Sequence, residues 1–176
     1  MKAVTITLAI QLLAAPSLAR CKLETHETGH VETRALTIYR GGSVGLQGHF
    51  GVKDGRSYLR ALYFSQFRAA AEFPADSPLE LTLADGTHVE LRVLEPARAE
   101  LQWAYGLINN REAQPLYEIS APQWHALATS PIAHARIAVR ARGEPLSYDW
   151  EIRRGHAEKI VEAIQCLVDA AAPRSG

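Results

Sequence analysis

The chain has 176 residues, with 19 Lys and Arg against 19 Asp and Glu, so its formal net charge is zero. Proteins that neutralise many phosphates or grip an anionic lipid surface carry a basic surplus, which excludes nucleic acid and membrane headgroups as the expected main partners. The length suits one folded unit with a real core, and no repeat, heptad array or low-complexity tract interrupts it.

Lys2, the apolar stretch from Ala3 to Leu13, then Pro16 and the small residues Ser17 and Ala19 flanking Leu18, follow the pattern of a secretory signal peptide over residues 1–19. The apolar stretch is too short to span a bilayer stably. Cleavage after Ala19 leaves residues 20–176, with 18 basic and 19 acidic side chains, as a single α+β domain. Arginine and alanine are frequent and lysine scarce, a composition that suggests a bacterial source, so the expected compartment is a periplasm, with no stable membrane insertion of the mature form. The two cysteines, Cys21 and Cys166, then read as a disulfide. Closing a loop that long stabilises a domain by roughly 5 kcal/mol in the chain-entropy picture. Leu18-Ala19-Arg20-Cys21 also has the outline of a lipoprotein cleavage site, but Arg20 stands where a small side chain is needed, which disfavours an acyl anchor at Cys21.

From Glu24 to Glu32 the chain carries a His-x-x-x-His string among carboxylates. Thr25, Thr28 and Gly29 are poor helix formers. On one extended strand His26 and His30 stand about 13 Å apart, too far to share an ion. The favoured expectation is a polar, solvated strand face; a metal site of His26 and His30, completed by His49 from another strand, is the alternative. Gly41-Gly42-Ser43-Val44-Gly45 matches the serine-hydrolase string, yet Val44, Leu46, Phe50 and Val52 continue as a strand where a helix should follow. Those glycines are read as a turn, and no catalytic residue is assigned.

Period-two alternation dominates from Thr33 to Arg153 and predicts eight to ten strands, mostly antiparallel. A three-residue loop at Lys53-Asp54-Gly55 sets Phe50 opposite Tyr58, Leu46 opposite Leu62 and Val44 opposite Phe64. A three-residue loop at Ala84-Asp85-Gly86, with Gly86 left-handed, pairs Leu81 with Val89 and Leu79 with Leu91. Leu101, Trp103, Tyr105 and Leu107 form a further strand; Asn109-Asn110 is expected to turn, and the stretch to Gln114 to protrude as a loop. Ser120-Ala121-Pro122-Gln123 has the form of a capping box before a short helix bearing Trp124, Leu127 and Ala128. Beyond it, a four-residue loop from Gly143 to Leu146 places Ile137, Val139 and Ala141 against Ile152, Trp150 and Tyr148, with Arg140 opposite Asp149. After a break at Gly155, Ala157, Ile160, Val161, Ile164, Leu167 and Val168 share one third of a helical wheel, so this helix packs on the sheet. Cys166 lies on its polar side, which requires the segment around Cys21 to strap the helix from outside.

Asp85-Gly86 with its flanking alternation, Tyr117-x-x-Ser120, Ile137-x-Val139-Arg140 and the final helix with Cys166 resemble a loose group of uncharacterised exported bacterial proteins with a sheet-rich body and one C-terminal helix. That resemblance implies fold and export and supplies no activity or site residue. The fold class expected is α+β: a mostly antiparallel, sandwich-like body with one short helix and a C-terminal amphipathic helix on the sheet. Arg136, Arg140 and Arg142 form a candidate patch for an anion or an acidic partner, balanced by nearby acids. No cofactor is expected. The function expected is non-catalytic binding of another envelope protein or of a cell-wall glycan. A small hydrolase using dispersed histidines and carboxylates is the second reading and an inhibitor or immunity-like protein the third.

Overall fold

In the computed structural model, which describes residues 22–26, 30–66, 70–105 and 108–171, the tight turns decide which strands meet. Strands β4 (Val44–Lys53) and β5 (Arg56–Ser65) are joined by Asp54 and Gly55, both left-handed at φ 50° and 73°. This is the two-residue geometry whose twist suits a hairpin. It pairs Lys53 with Arg56, Phe50 with Leu59 and Leu46 with Tyr63, one residue away from the register expected. The reason is visible on the other face, where Gly45 lies opposite Phe64 and Gly51 opposite Tyr58. A methyl group added at either glycine would overlap the facing aromatic ring. Large side chains here pack over bare backbone rather than against an apolar partner.

Strands β7 (Leu79–Leu83) and β8 (His88–Glu95) pair as the alternation requires, Leu79 with Leu91 and Leu81 with Val89. Gly86 is left-handed at φ 85°, its N–H donates to the Leu83 carbonyl at 3.0 Å, and the Thr87 N–H donates to Asp85 Oδ1 at 2.9 Å. Strands β13 (Ile132–Ala141) and β14 (Glu144–Glu151) turn on Arg142 and Gly143, left-handed at φ 55° and 82°. The four-residue loop expected there is replaced by a two-residue one, so Ile137 faces Tyr148 and Arg136, not Arg140, faces Asp149. The shift is four residues, an even number, and every side chain keeps its expected face.

Fourteen strands are present among the described residues, more than expected because several are short pieces of two or three residues. The others are β1 (Leu23–Thr25), β2 (Val31–Thr33), β3 (Leu36–Arg40), β6 (Ala71–Phe73), β9 (Ala97–Arg98), β10 (Glu100–Tyr105), β11 (Ile108–Ala113) and β12 (Leu116–Ile119). All ladders are antiparallel, and the main path runs β1-β2-β4-β5-β12-β8-β7-β13-β6-β9, with β12 joining the two halves. The segment from Asn109 to Ala113 is strand β11, paired with β10 and with the end of β5, and not the protruding loop expected. Leu107 lies outside the described residues.

The sheet folds over so that its halves face each other. Tyr39 of β3 stacks on Trp150 of β14 with ring centroids 4.7 Å apart, and Tyr63 of β5 meets Phe73 of β6 edge-on at 5.1 Å. Between these layers a single apolar cluster buries Leu46, Leu59, Leu79, Leu81, Leu91 and Ile137. Helix α1 (Ala121–Thr129) begins as its capping sequence requires: Gln123 Oε1 accepts the Ser120 backbone N–H at 2.8 Å and its hydroxyl at 2.9 Å. Trp124 of α1 packs near Phe50. Helix α2 (Arg154–Ala171) starts before Gly155, which sits in its first turn rather than breaking it. Its apolar face buries Ala157, Ile160, Ile164 and Leu167, while Val168, expected on that face, is 44% exposed. The helix packs on β2, β3 and β4 from one half and on β13 from the other, and Gln165 Nε2 donates to the Ala128 carbonyl of α1 at 3.0 Å.

Candidate functional site

At the β1 edge the expectation of one extended strand from Glu24 to Glu32 fails. Strands β1 and β2 are two arms of a hairpin, with Thr25 opposite Val31, and the His26 N–H donates to the His30 carbonyl at 3.0 Å. The hairpin folds the 13 Å of an extended chain back on itself. The His26 and His30 rings stack with centroids 4.0 Å apart and planes 11° from parallel.

Beneath them lies Glu32, 2% exposed. A carboxylate taken from water needs a cation and hydrogen bonds to replace hydration. Arg60 of β5 donates through Nη2 to Glu32 Oε1, and the Tyr58 hydroxyl donates to Oε2 at 3.1 Å. Both come from the solvent-side positions of β5, two residues apart and so on one face. Burial, followed by the charge of Glu32, pushes the Tyr58 phenol up to about 12, so it remains a donor across the neutral range. His26 Nε2 lies 3.2 Å from Glu32 Oε1 but makes no hydrogen bond, although that nitrogen is itself buried. His49 of β4 approaches from the other side: its Nδ1 bonds the Thr33 carbonyl at 3.1 Å and stands 4.0 Å from Glu32 Oε1. Because a carbonyl only accepts, that Nδ1 carries the hydrogen.

The three histidines named from the sequence therefore do converge, and the acid that gathers them is Glu32. Thr28-Gly29, poor in a helix, also suits a turn by composition, and that is the signal in the chain for the reversal between Thr25 and Val31. The arginines named from the sequence are spread along one hairpin. Arg136 Nη1 is 3.7 Å from Glu80 Oε2, Arg140 Nη2 is 2.7 Å from Asp76 Oδ2, and Arg142 occupies the exposed turn. Ser43 lies in the β3–β4 turn, where the Gly41 N–H donates to the Val44 carbonyl. Cys166 is half-buried on α2; Cys21 lies outside the described residues, as does the leader over 1–19.

A second surface stands out by its exposure. On the β10–β11 hairpin, Trp103 is 50% and Tyr105 82% exposed on one face, and the register shift between Leu101 and Trp103 puts Leu101, 49% exposed, on the other. Strand β10 pairs with β11 alone, so its outer backbone edge is unpaired among the described residues. No helix among them is long and apolar enough to cross a membrane. Comparison of the chain with protein-family models, with curated proteins and with solved structures found no match.

Proposed function

We propose that the chain is an exported, non-catalytic binding protein of the bacterial periplasm, and that it takes another envelope protein on the β10–β11 hairpin. The observation that carries this reading is the exposed pair Trp103 and Tyr105, on one face of a strand with an unpaired edge. Such an edge offers main-chain donors and acceptors to an added strand, and apolar side chains on it are a hazard unless a partner covers them. A protein fits better than a glycan, because an unpaired strand edge offers its main-chain donors and acceptors at the spacing of an added strand. The Glu32 carboxylate, the buried acid among the histidines, is held by Arg60 and by the Tyr58 hydroxyl, an arrangement that a structural ion pair accounts for.

Export carries with it the bridge from Cys21 to Cys166. Its support is the packing of α2 on β2 together with the bond from the Arg34 N–H to the Lys22 carbonyl at 3.3 Å, which sets the residue after Cys21 beside the strand the helix covers. N-terminal sequencing and thiol counting on protein from the producing cells should find a chain beginning near Arg20 with no free thiol. For the hairpin, a photoreactive residue in place of Tyr105 should give one discrete protein adduct in living cells, lost when Trp103→Ala is added. Retention on cell-wall glycan without an adduct would transfer the surface to a carbohydrate, and neither adduct nor retention would overturn the reading.

A further inference from the structure

We propose that His26, His30 and Glu32 form a binding site for a divalent metal ion of the zinc class, and that Arg60 is the cation such an ion displaces. One ligand atom from each residue lies within 4.8 Å of the others, on a hairpin and the strand it leads into. Two imidazoles and one carboxylate are the donor set that zinc and its neighbours favour, with a fourth position left to water.

The contact between His26 Nε2 and Glu32 Oε1 is the telling one. They stand 3.2 Å apart without a hydrogen bond between them, and the nitrogen is shielded from solvent with no other hydrogen-bond partner. Two ligand atoms around one tetrahedral ion with bonds near 2.0 Å sit about 3.3 Å apart. The pair already has that separation. The parallel stacking of the rings brings His30 alongside, with one ligand atom of each of the three residues within 4.8 Å of the others.

Arg60 explains how the site persists without metal. A carboxylate 2% exposed needs a positive charge, and the guanidinium supplies it on Oε1, the oxygen nearest His26. The Arg60 side chain is 38% exposed and has solvent to swing into, whereas Tyr58 holds Oε2 and keeps the carboxylate aimed. His49 is outside the ligand set: the nitrogen that faces Glu32 carries a hydrogen committed to the Thr33 carbonyl. It orients the buried strand instead.

The test is zinc titration of the purified full chain, stripped with a chelator and followed by calorimetry and by imidazole NMR signals. The expected result is one zinc per chain with Kd below about 10 µM and the largest shifts at His26 and His30, a smaller one at the neighbouring His49, and none at His88, His125 and His134. His26→Ala and His30→Ala should each weaken binding at least about tenfold. Arg60→Ala should tighten it several-fold, because the competing cation is gone. Absence of uptake at about 100 µM zinc, or shifts at His88, His125, His134 or His156 in place of His26 and His30, would overturn the site without recourse to any variant. Weaker binding by an Arg60→Ala protein that circular dichroism shows to be folded would overturn the displacement.

Discussion

The β4–β5 and β7–β8 hairpins both turn on Asp-Gly, yet they bury their faces by different rules. In β7–β8, Leu79 and Leu81 meet Leu91 and Val89 across the ladder, so apolar side chain answers apolar side chain and only a three-residue loop satisfies the pattern. In β4–β5, Phe64 and Tyr58 answer glycines, and the two-residue loop is chosen because it lays those rings over Gly45 and Gly51. The dipeptide itself leaves the loop length open. Side-chain volume on both faces selects it, since a slip of one residue would invert every facing pair.

Replacing a side chain in the aliphatic hairpin should have the largest effect. Leu91 is wholly buried, so Leu91→Ala should lower stability by about 2–5 kcal/mol in urea unfolding through the cavity it leaves. The glycine hairpin breaks in the opposite sense, by overfilling. A methyl at Gly48 would come 2.6 Å from Leu59 Cδ1 and 3.2 Å from Ile38 Cδ1, so Gly48→Ala should cost about 1–3 kcal/mol. Adding Leu59→Val to that variant should recover part of the loss, a coupling that unfolding of the double variant measures. A smaller effect belongs to the turn: Gly86→Ala forces φ 85° on a residue with a Cβ and should cost about 1 kcal/mol while leaving the register intact.

The smallest effect concerns acid. The Thr87 backbone N–H, followed by the Thr87 side chain, holds the Asp85 carboxyl below the usual carboxylate range. A depressed folded value means that its contribution is present above the ordinary carboxylate pKa and is lost as pH falls through the lower folded one. Melting temperatures followed downward from about pH 4 should therefore decline slightly faster in the wild type than in Asp85→Asn.

What could be read in advance follows from the same contrast. The alternation of Leu79, Leu81, Val89 and Leu91, the start of α1 at Ser120 and the burial of Ala157, Ile160, Ile164 and Leu167 on α2 rest on local periodicity and appear as expected, whereas Val168 does not share that burial. Aromatic-over-glycine packing leaves no alternating trace, which is why the Phe50 to Tyr58 pairing was off by one. The β13–β14 register slipped by four because Arg142 takes a left-handed φ that arginine seldom adopts. At the candidate metal site the histidines are evident in the chain but their convergence is not. Glu32 meets Arg60 and Tyr58 across 28 and 26 residues, partnerships that only the β2–β4–β5 order creates.

The placement of α2 bears on how the chain is made. It is the last element of the described fold to be synthesised and the one that lies across β2 to β4 and β13 together. A polypeptide still on the ribosome can form its hairpins, but Ala157, Ile160, Ile164 and Leu167 cannot complete the apolar cluster until these 18 residues emerge. Final closure of the described fold is thereby deferred until this helix has been made.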